Sequence, residues 1–541
     1  MAYKYSLDPG LYQTAGSAAD DCYTAQMAEQ SRSPLSTDSS KPRITLVVGP
    51  SPFTMPRGWE FFLTSPYEGI SYISTVLHNA GYPVKIVDVR YVEDPLSDAF
   101  RQCMEGTDVV GIATYEDCYP FVEELVGLIK ERDPRMPVIL GGSLVTSVPH
   151  LFMEHTKADV AVISEGELTI LELMASFVDG QWTDKRLSQI NGLWYRAKNG
   201  EIRHTPPRGQ MMNLDALPHM NLSLWPQSKD PRGLQPQIIA SHSRGCKMDC
   251  SFCYRTTPQL REKSVAKFRE EMRVLKEVYK TNYIFFVDLT FTSNKKRSLE
   301  ICEVLKEFKI GWNVLTRCAD VDPELLRAMK DSGCDIVLYG VESLSPEVLK
   351  AARKGSAEHI VLRAMKATQE AGLRFGGLTI VGLPGETQES LDHMCEWAEE
   401  HHHITRVKYL SAMPGTSVYT DGLKSGIIRS EVEHMRWLST EQALVHDEYL
   451  NYNGLSEKTM RRAYQRLYDA YCPGPVMDFK HWPKNFAKFY PDSQREWRSQ
   501  FSSAAAPLAP GAERFFLPHL AGKESVYGTN HRPRVEISSS L

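Results

Sequence analysis

Short apolar runs rich in Val and Ile alternate with amphipathic stretches along most of this chain. In the first third the runs fall at Ile44–Val48, Val84–Val89, Val109–Ala113, Val138–Leu140 and Val160–Ile163. Between them, helical spacing of apolar residues predicts helices near Ile70–Asn79, Leu96–Met104, Phe121–Lys130 and Pro149–His155. Short strands that are apolar on both faces and separated by helices imply a parallel sheet covered on two sides. The fold class expected here is α/β, a doubly wound, Rossmann-like domain of five units. Its ligand should lie over the carboxyl ends of the strands.

The pattern then breaks. Asn191–Arg196 and Gly200–His204 flank Lys198-Asn199-Gly200, a hairpin signature, and a Pro-rich linker runs from Pro206 to Pro236. From Gln237 the alternation resumes. Strands are expected at Ile238–Ser241, Tyr283–Val287, Asn313–Thr316, Ile336–Tyr339, Leu378–Val381 and Val407–Leu410. Helices fit Val265–Tyr279, Lys296–Phe308, Pro323–Asp331, Pro346–Arg353, Glu358–Ala371 and Gln388–Glu400, which makes six βα units. A further helix is expected at Ser456–Tyr471, followed by a Pro- and aromatic-rich tail. Residues 1–41, rich in Ser, Ala, Asp and Thr, predict a mobile tail.

At 541 residues the chain is too long for one compact core. The net charge of −5 and the lack of a dense Lys/Arg block argue against a nucleic-acid partner. No apolar run approaches the ~20 residues needed to span a bilayer. The N-terminus lacks the basic and apolar regions of a signal peptide. Eleven cysteines in so long a chain are no disulfide framework. Eight of them (Cys22, Cys103, Cys118, Cys302, Cys318, Cys334, Cys395 and Cys472) are scattered, mostly in apolar patterns. Buried thiols in a reducing cytoplasm are the expectation.

The other three carry the chemistry. Cys246, Cys250 and Cys253 stand in Ser-Arg-Gly-Cys-Lys-Met-Asp-Cys-Ser-Phe-Cys-Tyr. Three thiolates this close can hold three irons of one [4Fe–4S] cube and leave the fourth open to a small ligand. A zinc knuckle would need a fourth ligand, and no Cys or His pair with zinc-like spacing accompanies the triplet. The C-x-x-x-C-x-x-C spacing, with Phe252 before the last cysteine, resembles the radical S-adenosylmethionine (SAM) superfamily. The resemblance implies that six βα units form a partial (β/α)6 barrel, with the cysteine loop after its first strand. It implies that the open iron chelates SAM, whose reduction gives a deoxyadenosyl radical. It places Phe252 near the SAM adenine and Glu342, in Gly340-Val341-Glu342-Ser343, at a SAM amino or ribose group. Gly377–Glu386 resembles the G-x-I-x-G-x-x-E region of the family, with Ile380 and Gly382 beside the nucleotide, although its glutamate is displaced. Arg317 is the candidate for the SAM carboxylate, and Asp288 and Arg353 are charged residues near strand ends or in the following helix. Residues 426–541 would be a helical cap over the barrel mouth, with a tail.

The first domain has no G-x-G-x-x-G after its first strand, which disfavours a dinucleotide. Thr114, Gly141-Gly142 and Ser164-Glu165-Gly166-Glu167 follow its third, fourth and fifth strands. Small residues there, with Tyr67-Glu68-Gly69-Ile70 entering the first helix, resemble the cobalamin-binding domain fused upstream of many radical SAM enzymes. Thr114, Gly141, Gly142 and Gly166 are the candidate corrin contacts. The Asp-x-His-x-x-Gly loop of classical cobalamin enzymes is absent, so no histidine is nominated as lower cobalt ligand. His150 and His155 suit a helix surface, and the His401-His402-His403 tract a helix end. The resemblance covers roughly 43–425. It divides the chain into a tail (1–41), a cobalamin domain (42–180), a hairpin and linker (181–236), the barrel (237–425) and the C-terminal region (426–541). It implies a cytoplasmic methyltransferase that acts on an unactivated carbon of a small molecule, with an electron donor of flavodoxin or ferredoxin type. An oxidative cyclase with the same parts, or a cobalamin- or SAM-binding regulator without turnover, are the alternatives.

Overall fold

The computed structural model describes residues 40–470, except 51–64, 91, 93, 117, 179–181, 227–236, 255, 256, 258 and 440–448. The expected N-terminal tail, the second half of the Pro-rich linker and everything after residue 470 lie outside the described residues. Among the described residues no helix is long and apolar enough to cross a membrane.

The first half builds one sheet. Its elements are β1 (Ile44–Val48), α1 (Glu68–Asn79), β2 (Val84–Asp88), α2 (Pro95–Met104), β3 (Val109–Ala113), α3 (Tyr119–Arg132) and β4 (Val138–Gly141). Then follow α4 (Ser143–Ser147), α5 (Pro149–His155), β5 (Val160–Val162), α6 (Glu167–Val178), α7 (Asp184–Leu187), β6 (Leu193–Arg196) and β7 (Ile202–His204). The strand order is β2-β1-β3-β4-β5-β6-β7, with the first five parallel. Every residue of β1 and β3 is buried, as strands covered on both faces must be. The order turns around between β1 and β3, and the crevice at such a switch point takes the ligand.

Two features differ from expectation. Helix α6 was not among the predicted helices. It is buried around most of its circumference, from Leu168 to Met174, so it shows no polar stripe to betray its period. The hairpin is not a free linker. Strand β6 pairs antiparallel with β5 (Val160↔Tyr195, Ala161↔Trp194) and β7 follows it, so the hairpin finishes the edge of the first sheet.

The second half contains β8 (Gln237–Ala240), β9 (Ser243–Arg244), β10 (Arg261–Glu262), α8 (Val265–Glu277), β11 (Tyr283–Phe286), α9 (Lys295–Phe308), β12 (Gly311–Thr316) and α10 (Pro323–Asp331). After these come β13 (Cys334–Glu342), α11 (Pro346–Ala351), α12 (Glu358–Glu370), β14 (Arg374–Val381), α13 (Gln388–His401) and β15 (Ile404–Tyr409). Strands β8, β11, β12, β13, β14 and β15 lie side by side in chain order and are all parallel, the partial (β/α)6 barrel. Its helices start where the sequence caps them. Asn294 accepts the Arg297 N–H, and Asp322, followed by Pro323, accepts that of Leu325. Phe285, Ile336 and Leu338 form an apolar floor on one face of the sheet, with Val287, Leu315 and Leu378 packed against it. The other face packs on the helices.

The last described elements are α14 (Ser417–Ser425), α15 (Glu431–Leu438) and α16 (Glu457–Asp469). Of the expected cap (426–541), only residues up to 470, apart from 440–448, are described. Helix α16 lies along α13 and β15, where Tyr464 stacks on Tyr409 at 4.6 Å and Arg466 pairs with Glu399 and Asp392. It covers the flank beside the last strand, an apolar surface that an open barrel leaves bare. Helix α15 leans on α3 of the first sheet, with Arg436 2.9 Å from Glu123.

The turn after β14 is held from within. Glu386 accepts the Gly382 N–H at 2.6 Å and is buried with no cation among its partners. Burial pushes its carboxyl up to about 8, against the pull of the Gly382 and Leu383 N–H groups. The protonated form is therefore the folded form. Its contribution to stability is complete below the unfolded value near 4.5 and is lost as pH rises through about 8. Glu386→Gln cannot ionise and should gain on the wild type by a few degrees in Tm between pH 6 and pH 9. A Tm difference that stays constant across that range would contradict this account.

Candidate functional site

The carboxyl ends of the two sheets face one another, and polar contacts fix the distance. Ser241, just past β8, donates to both oxygens of Glu68 at 2.8 and 2.9 Å. The buried Lys263 ammonium lies 2.8 Å from Glu271 and 2.9 Å from the Tyr72 hydroxyl. Glu165 reaches Arg244 at 3.2 Å and Arg261 at 2.8 Å, and Glu167 reaches Arg244 at 2.7 Å. Burial works to raise the Glu165 carboxyl, but the two guanidinium groups outweigh it and hold it below the usual range.

Arg244 and Arg261 face each other across the short β9–β10 ladder, and the cysteine loop is the excursion between them. Gly245 opens the loop with φ +85°, and a Cβ there would sit 2.0 Å from the Gln259 carbonyl oxygen. Only glycine fits that crossing. Within the loop, Cys246 is buried and its Sγ accepts the Met248 N–H at 3.4 Å. The Cys253 N–H donates to the Cys250 carbonyl at 3.1 Å. Ser251 ties the loop down through Ala352 on one side and Val418 on the other, at 2.9 and 3.1 Å. Asp288, fully buried, accepts the His242 and Ser243 N–H groups and fixes the end of β8. Burial raises the Cys250 and Cys253 thiols, the latter to about 11, and each also feels the other cysteines. Cys246 is buried and Cys250 and Cys253 are half-buried, within electrostatic reach of one another, but among the described residues they do not close into a ready-made metal-binding group.

Beside the thiols stands an ion pair. Glu342 ends β13 with φ +64°, where the pairing with β14 slips by one residue, and its Oε1 lies 2.9 Å from the Lys354 Nζ. Gly340 leaves room for this pair, since a Cβ would come within 2.6 Å of both groups. A non-glycine residue at positive φ costs of order 1–3 kcal/mol and marks functional sites. The Lys354 ammonium also sits 5.7 Å from the centre of the Phe252 ring. Arg317 is within electrostatic reach of Cys250 and also contacts Asp320 at 3.4 Å and the Gly355 carbonyl at 3.2 Å. Lys354, which the sequence reading passed over, is the cation beside Cys250, Cys253 and Glu342. Arg353 pairs with Asp249 of the loop at 3.3 Å. Ile380 packs in the apolar cluster that also gathers Phe252 and Tyr254. Gly382 turns toward the C-terminal segment, where a Cβ would meet Met460 at 3.1 Å.

Between the sheets lies a cavity of about 400 Å³, apolar for most of its lining. Gly69, Gly141, Gly166 and Ser164 line it from the first sheet, and Arg244 and Leu289 from the second. A Cβ at Gly69 or Gly141 would meet nothing within 4 Å, so these backbones are bare toward the space. Gly142 is different. It has φ +120°, and a Cβ there would lie 2.5 Å from the Thr114 carbonyl oxygen. Gly142 and Thr114 therefore hold β3 to β4 and α4, a task Thr114 shares by accepting the Val145 N–H at 3.0 Å. The Ser164 hydroxyl is buried without a partner at the cavity wall. A large ligand with apolar faces and polar rim groups fits bare glycine backbone and an orphaned hydroxyl. No histidine lines the cavity. His150 sits 3.4 Å from Glu431, while His401 and His403 contact the Trp397 carbonyl and Gln369 and do not converge.

Comparison with known proteins agrees with this division of labour. Residues 64–174 match the B12 binding domain, and residues 240–398 match the Radical SAM superfamily. The chain belongs to the cobalamin-dependent radical SAM family. Its cofactors are a [4Fe–4S] cluster, SAM and cobalamin. An uncharacterized methyltransferase of Pyrococcus horikoshii is 28% identical over 75% of this chain and 88% of its own. The anaerobic magnesium-protoporphyrin IX monomethyl ester cyclase of Rubrivivax gelatinosus is 26% identical over 62% of each chain. The cytidylyl-2-hydroxyethylphosphonate methyltransferase of Streptomyces wedmorensis is 24% identical over 70% of this chain and 81% of its own. The fold is shared with the methyltransferase TsrM of Kitasatospora setae (TM-score 0.60, 16% identity, 86% of this chain and all of that one). It is also shared with the enzyme OxsB (TM-score 0.57, 18% identity), of whose length this chain spans 56%.

Gly141→Phe should fill the open space and abolish uptake of cobalamin by the whole protein, read as corrin absorbance after gel filtration, with the fold intact by circular dichroism. Gly142→Ala should instead lower the Tm, because its methyl group overlaps the Thr114 carbonyl. Full cobalamin retention in Gly141→Phe would show that the corrin lies elsewhere.

Proposed function

We propose that the protein is a radical SAM C-methyltransferase acting on an unactivated carbon of a small molecule. The observation that carries the reading is the shared space. Arg244 lines the cavity of the first sheet and stands two residues before Cys246, so the corrin site and the cysteine loop open toward one another. In this reading Cys246, Cys250 and Cys253 hold the cluster. Glu342, Lys354 and Phe252 flank SAM, and the bare backbone at Gly69 and Gly141, with Gly166 and Ser164, receives the corrin. When bound, the reduced cluster with SAM supplies hydrogen abstraction and the corrin supplies the methyl group. The residues of the chain place and shield. The positive φ at Glu342 aims its carboxylate at the thiol side, and Lys354 balances charge next to the cysteines. The apolar side chains of Phe285, Leu338 and Leu378 line the floor of the lumen. Electrons would come from a flavodoxin or ferredoxin type of donor in the cytoplasm.

The cyclase relative favours a second reading, oxidation or ring closure with the same parts. The mass of the product separates the two, since methyl transfer adds one methyl group and ring closure adds none.

Cys250→Ala should abolish anaerobic, dithionite-driven formation of 5′-deoxyadenosine and leave the fold intact, because the loop is tied down by Ser251 and not by its thiols. Cys334→Ala should keep SAM cleavage and lose only some stability, since Cys334 begins β13 and is buried among apolar side chains. SAM cleavage that survives Cys250→Ala would place the cluster on other residues. Wild-type protein that forms no deoxyadenosine with cluster and SAM loaded would favour a regulator without turnover.

A further inference from the structure

The sixth barrel strand carries two cations that the functional reading leaves unused. Strand β15 reads Ile404-Thr405-Arg406-Val407-Lys408-Tyr409. Tyr409 stacks on Tyr464, and the Val407 carbonyl accepts the Tyr464 hydroxyl at 3.4 Å, so these two residues belong to the helix side. The pairing with β14 slips at Thr405 and then runs Leu378↔Arg406 and Ile380↔Lys408. Leu378 packs against the floor of the lumen, with Phe285, Ile336 and Leu338. Alternation along the strand therefore puts Arg406 and Lys408 on the lumen face, one above the other. Arg406 is exposed there and Lys408 half-buried.

Neither side chain makes a hydrogen bond or ion pair among the described residues. The charges around them do not cancel. Glu342 is committed to Lys354 at 2.9 Å. That leaves Glu116, just past β3 of the first sheet, as the carboxylate acting on both cations. Burial lowers the Lys408 pKa, and the neighbouring Arg406 lowers it further, against Glu342, Glu116 and Cys253. Two neighbouring cations on one wall of the lumen, unpartnered and facing one free carboxylate, make a place for a further anion. A guanidinium fork beside an ammonium suits an oxyanion. The position of the pair points to its source. Lys408 lies within electrostatic reach of Cys253 and Glu342, whereas Arg406 is two residues deeper toward the floor and is answered by Glu116 alone. The carboxylate of SAM, tethered at the cysteine loop, has Lys354 closer at hand.

We propose that the substrate carries an oxyanion, a carboxylate, phosphate or phosphonate, that docks on Arg406 and Lys408 inside the barrel. This rests on the reading of the lumen as the place where substrate meets both cofactors. Docking on the floor side would leave the rest of the substrate pointing up, toward the cysteine loop and the first sheet.

The test uses the full chain with cluster and cobalamin loaded under anaerobic conditions. Methylphosphonate binding is followed by phosphorus NMR line width, and SAM binding separately by equilibrium dialysis. Methylphosphonate should bind the wild type saturably. The double variant Arg406→Gln, Lys408→Met should weaken it by about tenfold or more, with SAM affinity held within about twofold. Arg406→Lys keeps the charge and loses the fork. It should give an intermediate loss, and it serves if the double variant fails to fold. A fall in SAM affinity with unchanged phosphonate binding would assign the pair to the SAM carboxylate and overturn the proposal. No saturable phosphonate binding to the wild type, or equal binding to all variants, would overturn it too. Phosphonate binding that depends on the pair in a protein that never cleaves SAM would leave the oxyanion site standing and sink the enzymatic reading instead.

Discussion

One carboxylate, Glu165, holds the working geometry together. It leaves the end of the fifth strand of the first sheet and meets Arg244 and Arg261, the two stems of the cysteine loop. Those guanidinium groups stand opposite each other on a two-residue ladder, where like charges repel. Without Glu165 between them the ladder would open, and with it the base of the loop. Removing one partner from such a buried pair costs roughly 3–5 kcal/mol, because the remaining charge is stranded. The same contact fixes how far apart the two sheets sit. With Glu167, which also reaches Arg244, it ties the site for one cofactor to the frame for the other.

The seam extends that constraint. Glu68 with Ser241, Lys263 with Tyr72 and Trp225 with Ser71 repeat it across the interface. Each contact is polar and buried, and each has a direction. An apolar interface of equal area could slide by a fraction of a residue at little cost, whereas a hydrogen-bonded one cannot. Chemistry that passes between two separately held cofactors needs a fixed distance, so directional contacts suit this interface better than added grease.

Much of this was legible in the chain. Alternation of apolar strands and helices gave both sheets, because parallel strands buried on two faces leave a strong signal at Val109–Ala113 or Tyr283–Val287. The cysteine triplet announced itself by spacing. What stayed hidden was hidden for physical reasons. Helix α6 lacks a polar stripe. The hairpin looked independent because pairing with β5 is a long-range event that local turn chemistry cannot reveal. Gly141 and Gly142 look alike as letters, yet one is bare toward the cavity and the other is jammed against Thr114. The docking of α16 along α13 and β15 stayed hidden because an amphipathic helix states which face it buries and not against what. Lys354 follows a short helix with nothing to mark it, and Arg317 was preferred because it sits at a strand end.

The cations of β15 show where a sequence signal existed and went unused. Arg406 and Lys408 alternate with Val407 and Tyr409, which are apolar or aromatic. In a sheet with one solvated face, such alternation means only that the polar face meets water. In a barrel strand, one face meets the helices and the other the lumen. Here the apolar face is claimed by α16, so the charged face has only the lumen to look into. Two cations side by side on one wall repel unless something there answers them. The apolar side chains of the floor beside them, among them Phe285, Leu338 and Leu378, cannot. The charge pattern of one strand thus becomes a statement about what enters the barrel, once the closing helix has settled which way that strand faces.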